Sequence, residues 1–172
     1  MDTHLIVISG LAYSGSSTLA VGLSKSLKWD LILAGDRFRK YCNEHRLNYN
    51  IAKQIPDDVH RGLDNRLILE MRASTQTIFE GRIAIWLASN MPYALRVWCQ
   101  TDAKTRITRC VQREGLSRKE SIQLVDNRDR SDTETYERLY NIKLEQLPNG
   151  VLVVDTGVPV EDCIKQILKS LT

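Results

Sequence analysis

Nowhere in the 172 residues is there an apolar run of bilayer-spanning length, which argues against an integral helical membrane protein. Asp2 and His4 stand where a charged-then-apolar leader would lie, so no secretory signal is expected. The four cysteines, Cys42, Cys99, Cys110 and Cys163, form no CxxC pair and have no companion histidine cluster. They are expected to be reduced, mostly buried thiols of a cytoplasmic protein rather than disulfides or metal ligands. HExxH, zinc-ligand spacings and a Ser-His-Asp order are also missing, and His45 and His60 read as surface or helix residues without a partner pattern. No repeat, low-complexity tract or linker divides the chain, so one domain over 1–172 is expected. A net charge of +3 is too small to argue for a nucleic-acid binder, and no membrane partner is expected either.

What is present is an ordinary globular balance, 42% hydrophobic and 26% charged, enough for one substantial core. The basic residues are biased in kind: 15 of 24 are arginine. Arginine offers a planar fork that grips phosphate oxygens with two bonds, where lysine is a point charge. Arg72, Arg106 and Arg138 read as members of solvated helix faces.

Short β-like runs alternate with helical periodicity. Strands are predicted within His4–Ser9 and over Leu31–Leu33, Thr77–Glu80, Leu95–Cys99 and Leu152–Asp155. Between them, a helix from Ser17 carries Leu19, Leu23 and Leu27 on one face. After a break at Gly35, Asp36 could cap a helix towards His45. Pro56-Asp57 starts a helix reaching about Ala73, Asp102 caps one through Val111, and Ser117–Glu120 forms a capping box. The last helix, opened by Pro159, places Val160, Ile164, Ile167, Leu168 and Leu171 on one stripe. Such alternation predicts an α/β, three-layer fold: a five-stranded parallel sheet with helices on both faces.

The first turn reads Gly10-Leu-Ala-Tyr-Ser14-Gly15-Ser16-Ser17-Thr18, a G-x4-G-x-S pattern between a buried strand and an amphipathic helix. That is the context a phosphate-binding loop requires. Backbone N–H groups and the positive helix end would surround phosphates, and the Ser17 hydroxyl would ligate Mg²⁺. Ser16 stands where the P-loop pattern has lysine, and a glycine-serine turn can also be a plain connector.

Further along, Ala34-Gly35-Asp36-Arg37-Phe38-Arg39, Glu80-Gly81-Arg82-Ile83-Ala84-Ile85-Trp86, Arg113-Glu114-Gly115 and Arg128–Tyr140 follow in order. They resemble the AGDxFR, EGRxAxW, REG and RxxS…YxxxY segments of the short, archaeal-type cytidylate kinases, and the similarity extends over essentially the whole chain. The resemblance implies a P-loop nucleotide-kinase fold with an acceptor-binding region at about 35–75 and a helical lid at about 113–135. Asp36 and Arg39 would lie in the acceptor site, Arg39 on the acceptor phosphate and Asp36 on base or ribose unless it only caps its helix. Arg82 would hold the phosphates, and Glu80 would face the Mg²⁺ shell or simply bond backbone at the strand end. Arg113, Arg128 and Arg130 would supply positive charge from the lid, and the Asp155-Thr156-Gly157 loop would pack on adenine. Besides Ser16, one position departs from the family pattern: Thr135 stands where a second lid arginine is frequent, with Arg130 near it in sequence.

Phosphoryl transfer needs positioning and positive charge more than covalent chemistry, which suits arginine-rich loops around a glycine turn. The expectation is an ATP- and Mg²⁺-dependent kinase acting on CMP or dCMP, as monomer or homodimer. Two alternatives stay open: a P-loop kinase for another small acceptor such as shikimate, dephospho-CoA or an antibiotic, and a nucleotide-binding protein without activity.

Overall fold

The computed structural model describes residues 3–171. In chain order the elements are β1 (Leu5–Gly10), α1 (Ser16–Leu27), β2 (Asp30–Leu33), α2 (Ala34–Glu44), a 3₁₀ turn (Ala52–Gln54) and α3 (Asp57–Ala73). Then come β3 (Thr77–Glu80), α4 (Ala84–Leu87), β4 (Ala94–Gln100), α5 (Ala103–Glu114), α6 (Arg118–Tyr140), β5 (Leu152–Asp155) and α7 (Val160–Lys169). These five strands are parallel, in the order β2-β3-β1-β4-β5.

Alternation along β1 divides the core into two layers, because successive side chains of a strand point to opposite faces. Ile6 and Ile8 pack with Leu19, Ala20 and Leu23 of α1 and with Cys163 and Ile167 of α7. Leu5 and Val7 face the other way, onto Leu67 and Met71 of α3 and Ala84, Ile85 and Ala88 around α4. Both faces of the sheet are therefore covered, and the strands read as near-continuous apolar runs for that reason. Phe79 is fully buried in the second layer, where truncation to alanine would cost about 3–5 kcal/mol. All four cysteines are free and buried, as the sequence led one to expect.

Three local readings are corrected by the structure. Gly35 does not interrupt the chain: β2 passes directly into α2, whose N-cap is Leu33, and Gly35 lies within its first turn. Asp36 is therefore inside the helix and caps nothing; its carboxylate accepts from Arg39 one turn on. Arg106 is not solvated but 6% exposed, because it faces inward from α5 towards the first loop and α6. His60 is in a helix as expected, yet it is buried, stacked on Phe38 and bonded through Nε2 to the Ala52 carbonyl. Arg72 and Arg138 are exposed.

Helix ends follow their caps. Asp102 accepts from the Thr105 N–H at 2.8 Å, and α5 runs past Val111 to Gly115, whose φ of 67° ends it. The Ser117–Glu120 capping box starts α6, which continues unbroken for 23 residues.

Candidate functional site

The C-terminal ends of the parallel strands meet where β1 lies between β3 and β4. Crevices at such points are the usual ligand sites of open α/β sheets. Register brings Ile8 opposite Glu80 and Gly10 opposite Cys99, so the first loop and the end of β3 are neighbours.

The loop between β1 and α1 is tightly specified. Gly10 admits no side chain, because the Ser14 hydroxyl and the Cys99 carbonyl fill the space a Cβ would need. Gly15 has φ 94°, a left-handed conformation that favours glycine, and the Arg109 guanidinium lies against it. Tyr13 also takes a positive φ, 62°. From α5, Arg106 donates to the Ala12 carbonyl at 2.8 Å, and Arg109 donates to the carbonyls of Ser14 at 2.8 Å and Thr156 at 2.5 Å. Thr156 closes the ring, its hydroxyl donating to the Ser14 carbonyl at 2.5 Å. The Ala12 and Ser14 carbonyls are thus held by α5 and by the turn after β5, and the Leu11 carbonyl by the loop's own Ser14 N–H; N–H groups of such a turn are what an anion uses.

Two cavities share Tyr13, Ser16, Ser17 and Arg113. The first is also lined by Gly10, Arg39, Glu80, Arg82, Arg128 and Asp132. The second is lined by Gly15, Thr18, Arg109, Thr156 and Val158. Most of the residues expected to act on phosphates are thereby brought together. Ser14 is buried within the loop itself. Three other expected residues are not among those lining either cavity. Asp36 points to solvent beside Arg39, Asp155 turns back to accept from the Gly157 N–H at 2.8 Å, and Arg130 is exposed on α6. Arg128 and Arg130 are two residues apart, so a helix sends them to different faces.

Charges in the first cavity are strongly organised. Arg82 Nε lies 2.7 Å from Asp132 Oδ2, and the same guanidinium donates to the Gly10 carbonyl. Burial alone would lower the Arg82 pKa, but the fields of Asp132, Tyr136, Asp129 and Glu80 outweigh it and keep the group charged. Arg106 Nη2 meets Asp129 Oδ2 at 2.5 Å; burial pushes the Asp129 carboxyl up, against the pull of Arg106 and Arg82. Arg113 and Arg128 both lie over the Tyr13 ring, at 5.9 and 5.7 Å from its centre.

Ser16, at the lysine position of the P-loop pattern, donates its hydroxyl proton to Glu80 Oε1 at 2.7 Å. Among the described residues no group of three or more His, Cys, Asp or Glu could hold a metal. A Ser17 hydroxyl and a Glu80 carboxylate beside one cavity are nonetheless the hard oxygen donors Mg²⁺ accepts, because that ion keeps several waters and takes few protein ligands.

Sequence reasoning missed Arg109 and Thr156 as loop supports and undervalued Arg106. Positions 106, 109 and 113 recur at three and four residues, which shows an arginine stripe on one face of α5 but not the loop that this face meets.

A strand-loop-helix cradle at the centre of a five-stranded parallel sheet, ringed by arginines, defines a P-loop kinase fold. A gluconokinase from Sinorhizobium meliloti has the same fold, with a TM-score of 0.67, 13% identity and coverage of 99% of this chain and 92% of that one. The chain belongs to the cytidylate kinase-like family, which it matches over residues 33–157. Among its relatives are the cytidylate kinases of Methanothrix thermoacetophila, 32% identical over 89% of this chain and 88% of that one, and of Pyrococcus abyssi, 28% identical over 89% and 84%. No helix among the described residues is long and apolar enough to cross a membrane.

Proposed function

We propose that the protein transfers the γ-phosphoryl group of ATP to a nucleoside monophosphate, CMP or dCMP. The observation that carries this reading is the pair of cavities meeting at Ser16 and Ser17. The donor nucleotide would occupy the second, its phosphates on the loop N–H groups and the N-terminus of α1. The acceptor would occupy the first, between α2, α3 and α6, with its phosphate towards Arg39, Arg82, Arg113 and Arg128. Two substrates in adjoining cavities would bring their phosphates together at the loop, and such alignment supplies much of a phosphoryl-transfer barrier reduction.

Each residue then has a distinct task. Arg82, held by Asp132 and Gly10, is a preorganised donor for charge developing on the transferred group. Arg113 and Arg128 reach the same space from the segment proposed as a lid. Ser17 and Glu80 would hold Mg²⁺, which neutralises charge on the phosphoryl oxygens when bound. Ser16 orients Glu80 through its hydrogen bond instead of contributing a cation.

A coupled ADP-release assay with ATP, Mg²⁺ and a panel of nucleoside monophosphates tests the proposal. Turnover on a cytidine monophosphate is expected. ATP binding without turnover on any acceptor would favour the non-catalytic reading, which the uncharged Ser16 side chain supports by standing in place of a lysine. Turnover on a non-nucleotide acceptor alone would redirect the substrate assignment.

A further inference from the structure

The face of α3 that turns to the first cavity carries His60, Leu63, Asp64 and Leu67, an i, i+3, i+4, i+7 stripe, with Arg66 beside it. Three of these suit the flat, largely apolar body of an aromatic ring. Asp64 does not: a partly buried carboxylate costs free energy unless its oxygens find partners. Within the protein, Oδ2 accepts from the Tyr140 hydroxyl at 2.7 Å, which leaves Oδ1 for a ligand. Phe38, stacked on His60 with ring centres 5.4 Å apart, and Tyr136, edge-on to His60, complete the aromatic surroundings.

We propose that Asp64 reads the base of the acceptor by accepting a hydrogen bond from an exocyclic amino group. The inference rests on the acceptor being a nucleoside monophosphate, as argued above. An ionised carboxylate has no proton to donate, so it pairs with the amino group of cytosine and repels the carbonyl that uracil carries at the same position. Tyr140 fixes the carboxylate by donating to its other oxygen. A purely structural Asp64, present only to tether α3 to α6 through Tyr140, would leave Oδ1 without a purpose and the base unread.

The protonation state of Asp64 sets the pH behaviour. Burial raises its pKa, while the Tyr140 hydrogen bond and the nearby His60 lower it. From α6 the facing groups are Tyr136 and Tyr140, and Arg61 lies over the Tyr140 ring at 5.3 Å. The preference for an amino-bearing base is present while Asp64 is ionised and is lost as pH falls through its pKa. Removing the Tyr140 hydroxyl raises that pKa, so the loss begins at a higher pH.

The experiment is calorimetric binding of CMP and UMP to the full chain, with kcat/KM for both at a series of pH values, in wild type, Asp64→Asn and Tyr140→Phe. Asparagine is nearly isosteric and can present either its carbonyl or its amide to the cavity. Asp64→Asn is expected to narrow the preference for CMP over UMP by about tenfold or more, since hydrogen bonds to charged groups discriminate at that level. Tyr140→Phe is expected to keep the preference at high pH and lose it earlier on acidification. A CMP-to-UMP ratio unchanged in Asp64→Asn, with a pH profile unmoved in Tyr140→Phe, would overturn the assignment while leaving the acceptor reading intact. Failure of wild type to bind any nucleoside monophosphate would overturn both.

Discussion

Asp132, midway along α6, holds Arg82 of the β3–α4 turn at 2.7 Å, with only 13% and 15% of the two side chains exposed. Because Arg82 also donates to the Gly10 carbonyl, one guanidinium joins the phosphate loop, the end of β3 and the helix proposed as a lid. The Arg106–Asp129 pair repeats the arrangement one turn earlier, on the Ala12 carbonyl.

Arg82→Lys is expected to lose most of its turnover, because an ammonium cannot reproduce a fork that serves Asp132, Gly10 and, in the proposed complex, a phosphate together. Asp132→Ala should instead act first on stability. Breaking a buried pair from one side leaves an uncompensated charge and costs about 3–5 kcal/mol. Steady-state ADP release and denaturant unfolding separate the two. Normal turnover in Arg82→Lys, or unfolding as its sole effect, would make Arg82 a structural partner only.

The same contacts bound the proposed lid. With Asp129 and Asp132 anchored, movement is expected in the segment before them, from Arg113 to Arg128. Limited proteolysis should cut there, and a bisubstrate analogue should suppress the cleavage by closing the segment over the phosphates. Equal protection with and without the analogue would mean a fixed helical hairpin.

Arg109 bears on the donor side. It holds the Ser14 and Thr156 carbonyls by charge-assisted bonds. Arg109→Ala is expected to raise the KM for ATP by about tenfold to a hundredfold, the range for losing one or two hydrogen bonds to a charged group. The KM of the acceptor should change much less. An unaltered KM for ATP would show that the loop keeps its shape without this support.

Much of this fold could be read from local patterns. Isolated apolar runs marked the five strands to within a residue or two, and the Ser117–Glu120 box and Pro159 fixed two helix starts, since caps and turn residues act within a few positions. What escaped was non-local. Arg106 reads as one charged residue on a charged helix until the fold brings Ala12 and Asp129 to it. Gly35 reads as a break because nothing nearby says that β2 runs straight into α2. The phosphate loop was legible from its glycines; that its carbonyls are held by α5 was not, since the partners are 94 to 96 residues apart in sequence.

Ser16 offers the sharpest test of the site. A lysine there would reach the β- and γ-phosphates, and losing one such preorganised donor typically costs about 10²–10³ in rate. A competent kinase without it needs another cation near the loop. Two cations of the chain do not serve: Arg130 is exposed, Lys53 pairs with Glu134 at 3.3 Å, and neither lines the cavity. Arg82, Arg113 and Arg128 do line it, together with Ser16 itself. If they carry the charge, Ser16→Lys adds a cation to a filled site and replaces the Ser16–Glu80 hydrogen bond with an ion pair that draws Glu80 away from its proposed metal role. Turnover should then fall, or rise by less than about tenfold, at saturating ATP. A silent wild type that Ser16→Lys raises by orders of magnitude would instead identify a phosphate loop that binds without transferring. Measuring ADP release from both proteins with the best acceptor decides between a kinase whose arginines stand in for lysine and one whose chemistry has been lost.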